Sequence, residues 1–514
     1  MGAVDEAAEN YAAALAAMPD SPVLARRALG AALTAGNWPL AFEAAYALDE
    51  QGRLPRDGRI LLLADAVRAK DWTAARKQIE AMKEEELFAF LAPIVEAWIV
   101  FESAEGSDPV ALLDAAGRNV GIDSYVAEHR ALLLLAAGRH DQGLEALAPL
   151  AEMEGGRAQR LKIATAALLA ERGKKGKALR LLRSNLLATS RARAAIAAGK
   201  PLPALIDNAA DGIAEFFVRV AIDLHRQDVT ETGLTFARLA TLLAPDNSET
   251  WLVTSELLDA LDQHALAIEA LGHVSETDPF APAARQSAFR LNLEHGERET
   301  ALGLAEAAVA GNGGTVVEWM RLGDLYGELG RHGDAAEAYG SALGILERQG
   351  RTAGDTAWQL WLLRGSALHR DGRWPEAEKA LRAAYALAPD EPVVLNDLGY
   401  SLLERREHID EAMALIERAA ALDPDSGSIA DSLGWAHYLD GDVASAIEHL
   451  ERAVKSEPAD PTINEHLGDA YFRAGRRFEA RHAWTAALVY AEGDAAERLR
   501  TKIETGLTPE VAAP

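Results

Sequence analysis

NDLGYSLLERREHIDEAMALIERAAALDPD, residues 396–425, decides the fold. Gly399 stands in its first half, Ala412 follows thirteen residues later, Ala419 seven beyond that, and Pro424 closes the stretch. The pattern recurs on both sides. Gly365, Gly399, Gly434 and Gly468 lie 34, 35 and 34 residues apart, and Gly323 precedes them in the same role. Ala335, Ala377, Ala412, Ala446 and Ala480 each follow their glycine by twelve or thirteen residues. Seven further on stand Ala342, Ala384, Ala419, Ala453 and Ala487, and Pro389, Pro424 and Pro458 end three of the units. A fixed period of this length marks a supersecondary unit that cannot bury its apolar face alone. Two short helices cross closely only where small residues meet, and a large residue fills the gap they leave. Isolated helices this short are marginal in water, so each unit depends on its neighbours.

These residues resemble the tetratricopeptide repeat, with its pattern W-x2-L-G-x2-Y, then A-x3-F, then P. EWMRLGDLY at 318–326 with AAEAYGSAL at 335–343, and INEHLGDAYFRAGRRFEARHAWTAAL at 463–488, match it best. Carried backwards, the register starts units near 282, 248 and 214, with Ala301, Ala267 and Gly233 at the first small position. Weaker units begin near 159, 124, 92, 56 and 22, for about thirteen in all. The expected fold is all-α, a right-handed superhelical solenoid of helix-turn-helix repeats. AERLRTKIE at 496–504 reads as a polar capping helix, and TGLTPEVAAP after it as a disordered tail. The expected division is a degenerate array over 1–192, a connector with two prolines over 193–213, a second array over 214–494, and cap plus tail over 495–514. The connector reads as a hinge or as a solvated loop, and a further loop is expected at 350–357. Ala7, Tyr11, Ala14 and Pro19 fit the second half of a repeat, which suggests a chain shortened upstream or a simple capping helix.

Composition agrees. The 514 residues are 49% hydrophobic but only 6% aromatic, as expected of many short helices packed through small residues. The net charge is −27, which opposes general binding to nucleic-acid phosphates or anionic membranes. There is no cysteine, so disulfides, thiolate metal sites and cysteine nucleophiles are excluded. No run of eighteen apolar residues occurs, so none suits a membrane-spanning helix. MGAVDEAAEN at the start lacks the basic and apolar segments of a signal peptide.

Motifs for chemistry are missing. No His-Glu-x-x-His, phosphate loop, dinucleotide fingerprint or serine elbow appears. Asp423, Asp425, Gly427 and Asp431 faintly resemble a calcium loop, but the bidentate glutamate is absent from its place. No catalytic residue, metal ligand or cofactor site is therefore expected. After the repeats are assigned, no segment long enough for an enzyme domain is left.

Two surfaces could bind. Between 157 and 200 lie twelve basic residues opposed only by Glu171, so this segment carries +11 and the remainder −38. Arg172, Lys174, Lys175, Lys177, Arg180 and Arg183 form its centre. The segment suits an acidic partner, or it is neutralised by acidic repeats around it. The second surface is the concave groove. The positions that face the groove in such repeats give Asn396, Asp397 and Tyr400, then Asp431, Trp435 and Tyr438, then Glu465, His466, Asp469 and Phe472. Polar residues ringing aromatic anchors are what a protein hot spot needs; the alternative is that Trp435 and Tyr438 pack between repeats. The Lys/Asn/Arg clamp of chaperone-binding repeats does not appear there.

From Asn396 to Ala487, with DSLGWAHYLDGDVASAIEHLERA at 431–453 and EHLGDAYFRAGRRFEARHAW at 465–484, the chain is similar to a branch of bacterial repeat proteins. That branch includes outer-membrane lipoproteins of Gram-negative bacteria, one type of which is the adaptor of a periplasmic C-terminal-processing protease. The resemblance implies a non-catalytic scaffold that binds protein partners, a protease among them, tethered at the outer membrane through a lipid anchor this chain does not carry. A soluble cytoplasmic scaffold for another complex stays open, and the partner's identity and the oligomeric state are not legible. The expected far-UV circular dichroism spectrum is helical with no sheet; a sheet fraction near the roughly 20–25% of average globular proteins would mean that the register is wrong.

Overall fold

A computed structural model describes residues 3–55, 58–86, 88–104, 106–116, 122–153, 155–184, 186–203 and 205–513. Arg56 at the start of one expected unit, Ala204 of the connector and Pro514 of the tail lie outside them. The described residues form helices joined by short turns, with no strand. None of these helices is long and apolar enough to cross a membrane.

The chain divides into two compact units, Met1–Ala301 and Leu302–Pro514. The first opens with α1 (Ala3–Ala17), which lies against the pair α2 (Pro22–Ala35) and α3 (Trp38–Glu50). Then come α4 (Gly58–Arg68) with α5 (Trp72–Glu84), and α6 (Ala92–Ser103) with α7 (Pro109–Ala116). After them follow α8 (Asp123–Ala136) with α9 (His140–Ala151), and α10 (Gly156–Glu171) with α11 (Lys175–Leu181). A single helix, α12 (Leu187–Ala197), precedes α13 (Ala209–His225) with α14 (Thr230–Leu243). The unit closes with α15 (Ser248–Asp259), α16 (His264–Gly272) and α17 (Ala281–Glu294). Helix α18 (Arg298–Asn312) spans the boundary.

The second unit continues with α19 (Val316–Glu328) and α20 (His332–Arg348), then α21 (Asp355–Arg370) and α22 (Trp374–Leu387). Next are α23 (Pro392–Glu404) and α24 (Ile409–Leu422), and α25 (Gly427–Asp440) and α26 (Val443–Ser456). The last pair, α27 (Pro461–Arg473) and α28 (Arg477–Tyr490), is capped by α29 (Gly493–Thr505). These pairs start where the sequence register places them. Local chemistry sets the starts: Thr315 and Glu318 form a reciprocal capping box on α19, and Asp460 caps the first turn of α27 with Pro461 behind it.

The repeat glycines mark where paired helices touch. A Cβ at Gly323 would lie 2.5 Å from the Tyr339 ring, one at Gly399 2.7 Å from Ile416, and one at Gly468 2.3 Å from the Trp484 ring. Each large side chain therefore occupies the space a larger residue would need.

The unit boundary does not fall at 193–213, as the sequence suggests. Helices α13 and α14 turn back onto the inner side of the first array, α13 against α4, α6 and α8, and α14 against α2 and α4. Gly212 allows this; a Cβ there would sit 2.1 Å from the Trp98 ring. Tyr125 donates to Asp223 across 2.8 Å, Glu102 accepts the Ala209 N–H at 2.7 Å, and Arg238 reaches the Thr34 carbonyl at 2.8 Å. The connector is neither a free hinge nor a solvated loop over its described residues: Ile196, Leu202 and Ile206 are buried.

The C-terminal tail also departs from expectation. Beyond α29 it forms a short 3-10 turn, Pro509–Val511. Its Ala513 is buried, and its Gly506 lies so close to Phe472 that a Cβ would be 2.9 Å from that ring. Overpacking a close contact costs about 1–3 kcal/mol. Gly212→Ala is therefore expected to lower stability by that order in chemical denaturation, with amide-exchange protection lost first in α6 and α13.

Candidate protein-binding groove

In the second unit the first helix of each pair lines one face. A cavity of about 640 Å³ opens there, bordered by residues of α21, α23, α25 and α27. Asn396 and Tyr400 of α23 line it together with Asp397, and Asp431 of α25 forms its far side with Ser432. Most of its border is polar. Ser366 donates to Asp397 at 3.2 Å, while the side-chain oxygen of Asn396 is buried and has no donor among the described residues. Burial raises the Asp397 pKa, with the Ser366 hydrogen bond opposing it. Tyr400 is held in the phenol form, burial first and then the charges of Glu404 and Asp431 raising its pKa.

Trp435 and Tyr438, expected as exposed anchors, are not on this surface. Their relative exposures are 2% and 8%. The two rings stack at 4.6 Å between centroids, and His466 covers the other flank of Trp435 at 4.1 Å. This sandwich joins α25 to α27, so the aromatics hold consecutive repeats together. Arg473 adds a cation–π contact over Tyr438 at 4.9 Å and donates to the Tyr438 carbonyl at 2.9 Å. The indole N–H of Trp435 and Nε2 of His466 are buried without a hydrogen-bond partner among the described residues.

His466 is fully buried, with Nδ1 at 2.9 and 3.1 Å from the two Asp431 oxygens. Burial works to lower its pKa, but the charge and hydrogen bond of Asp431, joined by Asp469 and Glu465, hold it above the ordinary imidazole value. Asp469 is also fully buried, one turn along α27. It accepts from Lys502 at 2.8 Å and from the Trp484 indole at 2.9 Å. Lys502 is fully buried and contacts Glu465 at 2.6 Å, while Arg498 grips Glu465 through two bonds of 2.8 Å. Thus α29 is fastened to α27 by charge as well as by Leu499. The second oxygen of Asp469 accepts the backbone N–H of Ala513 at 3.1 Å. His466 and Asp469 are therefore structural members beneath the groove and not open recognition groups.

The basic segment divides in two. Its inner end is neutralised: Arg157 contacts Glu128, Glu215 and Glu249, and Arg160 bonds Glu215 at 2.7 Å. Burial works to raise the Glu215 pKa, but Arg160 and then Arg157 outweigh it and keep the carboxylate charged; burial prevails at Glu249 and raises its pKa. The outer part faces solvent. Arg172, Lys174, Lys175, Arg180 and Arg183 are exposed, Lys177 is half-buried against Asp141, and Lys175 bonds the Ala197 carbonyl. Among the described residues no carboxylate pairs Arg172, Lys174, Arg180 or Arg183.

The first unit also holds a cavity of about 880 Å³, bordered by Arg157, Leu187, Arg219, Glu249, Leu252 and Phe280 among others. Sequence reasoning missed it, because its walls come from segments far apart in the chain, from Gly156 to Gln286. Leu186 and Leu187, large apolar residues exposed on its border within the basic segment, were the available sign.

A family model described as "Tetratricopeptide repeat" matches residues 221–491. A TPR repeat-containing protein of Pseudomonas aeruginosa is 30% identical over 205 residues, covering 34% of this chain and 35% of that protein. The chain thus spans about a third of the length of the curated relative it matches. Among solved structures, a thermophilic TPR protein of Thermus thermophilus aligns at 21% identity and a TM-score of 0.32, over 37% of this chain and 98% of that one. A tetratricopeptide repeat protein of Parabacteroides merdae aligns at 12% identity and a TM-score of 0.39, over 57% of this chain and 97% of that one.

Two outcomes follow from the buried sandwich. Trp435→Ala removes a core aromatic, so it is expected to cost about 3–5 kcal/mol of stability, read as early unfolding of the second unit. Because the folded His466 pKa is raised, its pairing with Asp431 stabilises fully below the unfolded imidazole value and fades as pH rises through the folded one. Asp431→Asn is thus expected to lower the His466 titration midpoint in NMR, and to cost more stability near about pH 6 than near about pH 9.

Proposed function

This chain belongs to the tetratricopeptide-repeat family, whose members are protein-interaction scaffolds, and from that premise we propose that the groove bordered by Asn396, Tyr400 and Asp431 receives an extended peptide segment of a partner protein. The observation that supports this reading most is the chain's own tail. Residues 506–513 lie on the neighbouring stretch of this face, and Asp469 holds them by a backbone N–H. A surface that holds one segment by a backbone N–H suits another beside it, since such a bond is sequence-tolerant and side-chain pockets add selectivity. The Asn396 oxygen has no donor among the described residues, and a turn of that side chain into the groove lets a peptide N–H supply one.

The finer reading is an adaptor that recruits or activates a periplasmic C-terminal-processing protease, held at the outer membrane in its native form. It rests on the likeness of residues 396–487 to that branch of repeat lipoproteins. The exposed basic group at Arg172, Lys174, Arg180 and Arg183 offers such a partner a second, charge-guided contact.

The test is co-purification from the source cell with mass spectrometry, comparing the unaltered chain with an Asn396→Ala, Tyr400→Ala variant. The expected result is a melting temperature nearly unchanged and at least about 2 kcal/mol of partner affinity lost, as for a true hot spot. Full retention of the partner moves the binding surface elsewhere. Recovery of a partner other than a protease overturns the adaptor reading and leaves the groove standing.

A further inference from the structure

At the end of the first unit, three helix termini bring two imidazoles and a carboxylate to one point. Asp259 is the last residue of α15, His264 the first of α16, and His295 the residue after α17. Nδ1 of His264 lies 2.8 Å from Oδ1 of Asp259, and Nε2 of His295 lies 3.6 Å from the same oxygen. One ligand atom from each residue falls within 4.8 Å of the others. The imidazole rings are stacked with centroids 3.3 Å apart.

Zinc binds imidazole nitrogen and carboxylate oxygen at about 2.0–2.2 Å. Tetrahedral neighbours around such an ion are then about 3.3–3.5 Å apart, close to the 3.6 Å between His295 and Asp259, and the two stacked rings reach that geometry when one swings out about its side-chain torsions to turn its nitrogen to the ion. The surroundings suit the charge. Arg290 approaches the other Asp259 oxygen, Oδ2, at 3.8 Å and leaves Oδ1 facing the imidazoles. Arg290 also bonds Glu294, so it has an anion of its own. Asp262 lies 4.0 Å from Nε2 of His264. With Nδ1 on a metal, that nitrogen carries the ring proton, and a carboxylate facing it orients the ligand and strengthens its basicity.

We propose that Asp259, His264 and His295 bind one divalent transition-metal ion of the imidazole-preferring class, zinc foremost, as a clip between consecutive repeats. Asp259 and His264 are partly buried and His295 is exposed, so the ion has an entry path, and solvent completes its coordination. Helices α15 and α16 form one pair and α17 begins the next. A shared ion holds their turns at a fixed separation, where otherwise only side-chain contacts do so. The spacing in sequence, five residues and then thirty-one, matches no metal motif; the repeat stacking brings the ligands together.

The full chain, stripped with chelator, would be titrated with zinc by calorimetry and with cobalt(II) by visible absorption. The expected result is one ion per chain, tetrahedral cobalt bands, and a higher melting temperature with metal. His264→Gln and His295→Gln, each checked by circular dichroism for a native helical spectrum, should each weaken zinc binding by more than about tenfold, since even losing an outer hydrogen-bonding partner can cost that much. Asp262→Asn should weaken it less than either. Zinc binding unchanged in both histidine variants, or absent from the unaltered chain, overturns the proposal. If one histidine variant misfolds, the other decides.

Discussion

The constraint on which the second unit depends is how closely two short helices approach within each repeat. Five glycines meet large side chains on the following helix: Gly323 faces Tyr339, Gly365 Leu381, Gly399 Ile416, Gly434 Leu450, and Gly468 Trp484. The void left by each missing side chain is filled by a bulky one, so the crossing is dense and its separation is set by van der Waals contact. Because the same contact recurs every 34 or 35 residues from Gly365 onward, successive first helices line up and their polar positions fall on one face. The groove is a consequence of that repeated crossing.

The first unit solves a different problem. Its inner side is covered by its own helices α13 and α14, so its repeats are fitted to distant partners as well as to their neighbours. Gly212 against Trp98 is such a fit, and Arg157 among Glu128, Glu215 and Glu249 is another. Removing one member of such a buried ionic cluster strands the others without compensation. These long-range demands pull residues away from the repeat consensus, which is why the register fades before residue 214.

In the groove, consensus positions predict which way a side chain leaves its helix and say little about depth. Trp435, Tyr438, His466 and Asp469 do project from the first helices, as their positions require. Trp435 is then covered by His466, and Asp469 by Lys502 and the tail. In the sequence 496–504 reads as a polar capping helix and the stretch after it as a disordered tail. Lys502 has the charge of a surface residue and lies fully buried, since two carboxylates on α27 await it.

By itself the sequence determined whatever depends on local spacing: an all-helical chain, the period, the helix starts and the capping helix. Periodic small residues and turn prolines carry that information within one repeat. The tertiary structure alone decided where the units divide, which half of the basic segment is neutralised, and which aromatics are sealed. It also decided the meeting of Asp259, His264 and His295. Each of these depends on which distant segment comes to lie against a given face, and the energy of burial or pairing belongs to both partners at once.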